Sequence, residues 1–148
     1  MTRTTRENLG FLLAKASQRW NELLEQGFRE AGYHDVRPAH GSILLPLFEE
    51  DGLRLGELAR RARLRKQTLS SLIRTAESRG LVALRPDRED QRATRVFLTA
   101  RARRFRQAAE KLLAGLDRSV EHRLPARRID ELREALKVIA DITMEDER

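Results

Sequence analysis

The chain has 148 residues, of which 40% are hydrophobic, 36% charged and 5% aromatic; it carries a net charge of +7 and has no cysteine. That length suits one compact domain, or two small lobes sharing a core, and the lack of cysteine excludes disulfides, a thiol redox sensor and thiolate metal sites. No stretch approaches the ~20 apolar residues of a membrane span, and Met1 to Leu13 lack a signal peptide's apolar core, so a cytoplasmic protein without a membrane partner is expected.

Leu9, Leu12, Leu13, Ala16, Trp20, Leu23, Leu24 and Phe28 recur at helical spacing, which predicts one long amphipathic helix from Asn8 to about Ala31. After a connector, Tyr33 to Arg37, Pro38 suits the first turn of a second helix carrying Ile43, Leu44, Leu47 and Phe48. Pro46 inside that helix predicts a kink or an early end. Asp51-Gly52 marks a turn, followed by a short helix from Leu55 to about Ala62. A further helix runs from Lys66 to Arg79, and Gly80 takes the left-handed position after it. Leu81 to Arg85 and Thr94 to Leu98 are β-prone and flank a charged, turn-forming stretch, predicting a hairpin over 81–98. Thr99 can cap a helix reaching about His122, with Phe105, Ala109, Leu112, Leu116 and Val120 on one face. Leu124-Pro125 interrupts it, and a last helix spaces Ile129, Leu132, Leu136 and Ile139 as a two-heptad seam.

Charge maps unevenly onto these elements. Residues 54–106 hold 16 Lys and Arg against 5 Asp and Glu, whereas each flank is slightly acidic. A basic block between such flanks is the footprint of a polyanion partner, and nucleic acid is the first candidate.

Residues 55–82 of that block have the layout of a helix-turn-helix. Leu55, Leu58 and Ala59 face inward on its first helix, Leu64 plugs the turn, and Leu69, Leu72 and Ile73 form the inner stripe of its second. Arg65, Lys66, Gln67, Thr68, Ser70, Ser71 and Arg74 are left on the outer face or at the N-terminal end. These residue types suit base edges and phosphates in a major groove: Gln for adenine, Lys or Arg for guanine, Ser or Thr for either base or phosphate. A plain solvated helix face is the competing account.

The helices and hairpin together carry Gly80-Leu81-Val82, Arg85-Pro86-Asp87, Asp90-Gln91-Arg92 and Leu98-Thr99. With these motifs at this spacing the chain resembles the MarR (multiple antibiotic resistance regulator) family of transcription factors. The resemblance implies a mainly α winged helix-turn-helix, with long N- and C-terminal dimerisation helices and one β-hairpin wing. It further implies a single domain over 1–148, in which 1–34 and 107–148 would dimerise and 38–100 would bind DNA. It also implies that Arg92 reaches a minor groove while Asp90 holds it by a charge-assisted hydrogen bond. The other account of that pair is one that merely fixes the hairpin. Arg88, at the tip, is a second groove or phosphate candidate; Arg85 and Arg95 either contact phosphate or flank the sheet. The chain departs from the family in the turn, where Arg63 and Arg65 stand in place of a small residue and a serine; the lost cap costs about 1 kcal/mol.

Three apolar stripes exceed what a small winged lobe can cover, so a homodimer is expected, reading a pseudo-palindromic double-stranded operator with half-sites ~10 bp apart. Many relatives in the family release DNA when a small aromatic or phenolic ligand binds. Trp20, His40 and Phe48 are the candidate lining here, with ordinary core packing as the alternative. His34, His40 and His122 are too scattered for zinc, and no cofactor motif or catalytic constellation is visible, so the chain is not expected to be an enzyme. The expectation is a dimeric, sequence-specific regulator, a repressor relieved by a ligand. The alternative is a winged-helix module that binds DNA non-specifically or acts through protein contacts without an inducer.

Overall fold

The computed structural model describes residues 6–143; residues 1–5 and 144–148, the outer ends of the expected dimerisation segments, lie outside it. The chain forms two compact units, one up to Glu110 and one from Lys111 onward.

In the first unit, helix α1 (Leu9–Glu30) starts at Asn8, whose side chain accepts hydrogen bonds from the Gly10 and Phe11 amides. Its end is anchored by Phe28, buried edge-on against Phe105 with ring centroids 4.9 Å apart. Tyr33 meets the same Phe105 ring at 5.1 Å. Pro38–His40 form a 3₁₀ turn, and helix α2 (Gly41–Glu49) follows. Pro46 sits inside α2, which stops three residues later, consistent with the missing amide. Ile43, Leu44 and Leu47 of this helix are fully buried and form the centre of the core.

Helix α3 (Leu55–Ala62) buries Leu58, and helix α4 (Lys66–Ser78) buries Leu69, Ile73 and Ala76. Leu55, Ala59, Leu64 and Leu72 are half-buried, so the inward stripes lie as their spacing implied. Gly80 ends α4 with φ +68°, the left-handed conformation expected of it.

Strands β2 (Val82–Pro86) and β3 (Thr94–Leu98) pair antiparallel, Val82 opposite Leu98 and Pro86 opposite Thr94. The hairpin is joined by a strand that sequence reading missed. Leu53–Arg54, β1, pairs with β3 on its other side, giving a three-stranded sheet in the order β1-β3-β2. Two residues are too short for any alternation to show. The sheet completes a winged helix-turn-helix, with β2, β3 and the turn between them as the wing.

Helix α5 (Ala100–Glu121) begins after Thr99, whose hydroxyl accepts from the Ala102 amide as predicted. In the first unit it buries Ala102, Phe105 and Ala109. The second unit holds the rest of α5 and helix α6 (Ala126–Asp141), which follows Pro125 and buries Ile129. Leu132 and Leu136 of the expected seam are exposed, and Ile139 is half-buried. No described helix is long and apolar enough to cross a membrane.

Candidate nucleic-acid interface

The turn between α3 and α4 departs from what helix ends ordinarily favour. Arg63 closes α3 at φ 54°, the single non-glycine among the described residues in the left-handed region. A side chain there costs about 1–2 kcal/mol relative to glycine. Arg65 stands at the N-cap of α4 with no side-chain cap bond, and no acidic residue occupies the first turn. Free amides and two cations, Arg65 and Lys66, therefore meet at the positive end of the helix. Helix stability alone would place an acidic or hydroxyl group there. Such an end suits an incoming phosphate.

Arg65, Lys66, Gln67, Thr68, Ser70, Ser71 and Arg74 are all exposed on α4. They form one outward surface, opposite buried Leu69, Ile73 and Ala76. The structure thus brings together every residue singled out on this helix.

The turn of the wing, residues 87–93, is closed by the Asp87 amide donating to the Ala93 carbonyl at 2.9 Å. Arg88 is exposed on it. Arg92 is 93% exposed, and its Nε donates to Asp90 Oδ1 at 3.2 Å, the pair the resemblance implied. The same Asp90 oxygen also accepts from the Arg92 amide at 3.1 Å.

Pairing separates two sets of arginines. Arg54, Arg60, Arg61, Arg95 and Arg101 are each matched to a carboxylate within the fold. Among the described residues, Arg65, Lys66, Arg74, Arg85 and Arg88 have no ion-pair partner. Unpaired cations thus stand together on α4 and the wing, where a phosphate backbone could neutralise them; others, such as Arg104, Arg118 and Arg128, lie on the later helices.

Asp87 stood in a motif of the sequence, but its role was not legible there. Asp87 is buried (2% exposed) and accepts four hydrogen bonds. Its Oδ1 takes the Glu89 and Asp90 amides at 2.8 and 3.3 Å, and its Oδ2 takes Arg54 Nε at 2.7 Å and Arg95 Nε at 2.8 Å. The Glu89 amide does most to hold this carboxyl well below the ordinary range. The Asp90 amide and the two guanidiniums add to it, against the opposing effect of desolvation. The available signal was local: an aspartate opening a turn caps the amides two and three residues on. Its ties to β1 and β3 depend on the tertiary fold.

The candidate ligand residues are not brought into one cavity. Trp20 is half-buried on α1. His40 is buried, and its Nδ1 accepts the Arg37 amide at 3.0 Å. Burial first, then the charge of Arg79, lowers its pKa. Phe48 lines an open cavity of about 500 Å³ with Leu47, Asp51, Leu98, Arg103 and Arg106, and neither Trp20 nor His40 lines that cavity. Among the described residues, no group of His, Asp and Glu is placed to hold a metal ion.

Comparison with known proteins follows the same lines. The MarR family model matches residues 34–93, which contain α2 to α4 and most of the wing. The HTH-type transcriptional regulator TtmR of Methylorubrum extorquens (strain PA1) is 35% identical over 71 residues, 48% of this chain. The aligned part spans 36% of that relative's length. The fold is shared with Bordetella bronchiseptica BpsR, described for regulation of its DNA binding by 6-hydroxynicotinic acid. The TM-score is 0.80 at 20% identity, covering 95% of this chain and 99% of that one. It is also shared with the transcriptional repressor CouR bound to a 23-mer DNA duplex, at TM-score 0.79 and 24% identity, over 95% and 99% of the two chains. TtmR and CouR are described as transcriptional regulators. The helix-turn-helix and the first part of the wing are thus similar to the MarR family, and the fold as a whole is similar to that of solved regulator structures.

Proposed function

We propose that the protein is a homodimeric, sequence-specific double-stranded DNA-binding regulator, acting in the cytoplasm as a repressor relieved by a small ligand. The observation that carries this reading is the placement of unpaired cations on two protruding elements. Arg65, Lys66 and Arg74 lie on the outer surface of α4, and Arg88 lies on the wing. Gln67, Thr68, Ser70 and Ser71 stand between the α4 cations and supply the neutral donors and acceptors that base edges require. On this reading α4 enters the major groove. Arg92, held by Asp90, enters the adjacent minor groove.

Dimerisation is supported by apolar surface left exposed on helices outside the 38–100 lobe. Leu9, Phe11 and Leu12 on α1 and Leu132, Leu136 and Val138 on α6 are each more than 40% exposed. A second copy covering residues of the 1–34 and 107–148 segments would present two α4 helices to half-sites ~10 bp apart on a pseudo-palindrome. Relief by an aromatic or phenolic ligand is supported by BpsR, whose DNA binding responds to 6-hydroxynicotinic acid. Of Trp20, His40 and Phe48, Phe48 lines an open cavity that such a ligand could enter.

The test is competition binding. A duplex selected by the protein from a random-sequence pool should stay bound in excess random DNA and weaken steeply as salt rises. Binding that random DNA abolishes would favour a non-specific coating role, and no binding at low salt would end the DNA reading.

A further inference from the structure

We propose that Asp87 is the positioning residue of the wing, holding Arg54 and Arg95 so that the turn bearing Arg88 and Arg92 is set for DNA by a carboxylate that touches no DNA itself. This rests on the DNA-binding reading above and adds to it a residue and a mechanism.

The register of the sheet makes the device necessary. Arg54 lies opposite Arg95 and Arg95 opposite Arg85, so three guanidinium side chains share one row across β1, β3 and β2. Like charges directly opposite on a sheet repel. Asp87 meets that row at its end and binds the outer strand through Arg54 and the central strand through Arg95. Arg95 extends the tie, donating from its second nitrogen to the Gly52 carbonyl at 2.7 Å, in the turn before β1. With its other oxygen Asp87 holds two amides of the wing turn. One buried side chain thus joins the turn to both neighbouring strands.

Asp90 cannot do this. Its carboxylate accepts only from Arg92, two residues away, among the described residues, and the pair is solvated, with Arg92 93% exposed. An exposed pair of that kind contributes little to a fixed geometry. It orients one side chain on the turn, whereas Asp87 places the turn on the body.

Asp87→Asn separates these roles. The asparagine oxygen still accepts the Glu89 and Asp90 amides, but its NH₂ group faces the donors of Arg54 and Arg95, so the local turn is kept and the ties are broken. Electrostatics alone predicts tighter DNA binding from losing a negative charge. Loss of position predicts the opposite. Glu89→Gln is the matched control, because it removes a negative charge from the same exposed turn without touching the ties.

The experiment is hydroxyl-radical footprinting and titration on a duplex selected by the wild-type protein from a random pool. For Asp87→Asn, affinity should fall roughly tenfold or more, the scale of a lost arginine contact in each half-site. Protection at the outer minor grooves should fade while protection around the major-groove half-sites persists. Glu89→Gln should bind as well as wild type or better. Unchanged or tighter binding by Asp87→Asn with an intact footprint overturns the proposal. So does loss of every protection at once, which would assign Asp87 to general stability. A wild-type protein that selects no duplex removes the DNA reading and this inference with it.

Discussion

Gly52 is confined to glycine by two independent constraints. Its φ is +71°, and a Cβ built on it would lie 2.7 Å from the Phe97 ring. Gly80 has nearly the same φ, +68°, but open space around it. Gly80→Ala should therefore cost only the conformational term, about 1–2 kcal/mol. Gly52→Ala should cost more, roughly 3 kcal/mol, since Phe97 must also move. Urea denaturation of the two variants measures the difference; equal losses would mean that Phe97 yields freely. His40 gives a second prediction. Its folded pKa lies below the ordinary value, so between that lowered value and about 6.5 the unfolded chain binds more protons than the folded one. Stability is then fully present above about pH 6.5 and is lost as pH falls below it. A His40→Gln variant should show a flatter fall in urea midpoint between about pH 7.5 and about pH 5.5 than the wild type does.

At the scale of elements, α4 departs from the local rules where DNA contact is proposed. Arg65 occupies a cap position without capping, and Arg63 takes a backbone conformation that favours glycine. Arg65→Ser should stabilise the fold by about 0.5–1 kcal/mol, seen as a raised melting temperature, and should weaken DNA binding. A variant that binds DNA as tightly as wild type would remove Arg65 from the interface. Within the same helix, Gln67 or Ser71 substitutions should change preference at particular base pairs, whereas Lys66→Ala should lower affinity for all sequences, as selection from a random pool will show. The elements themselves were largely legible. Helix α3 and strand β3 lie where periodicity and β-propensity placed them, α4 ends one residue earlier, and β2 is shifted by one residue at both ends. Strand β1 was not legible, because its two residues pair only where β3 passes beside them.

At the scale of the molecule, the proposed dimer rests on the exposed apolar residues of α1 and α6. Sedimentation should give twice the chain mass. Leu132→Glu with Leu136→Glu should produce a single subunit with much weaker DNA binding, since half the phosphate contacts and one half-site are lost. A double variant that still dimerises and binds would place the interface elsewhere. The exposed set of candidate side chains on α4 was readable beforehand because helical periodicity alone separates Leu69 and Ile73 from Lys66, Ser70 and Arg74.

Sequence by itself determined what local chemistry controls. Periodicity set the helices, Gly80 set the end of α4, and charge segregation pointed to α4 and the wing. Tertiary structure decided which charges remain available. Arg54, Arg85 and Arg95 look alike in the sequence, yet two are paired with Asp87 and one is not. That distinction comes from strand register, which brings residues 54, 87 and 95 together across the sheet, and no pattern along the chain encodes a distance between strands.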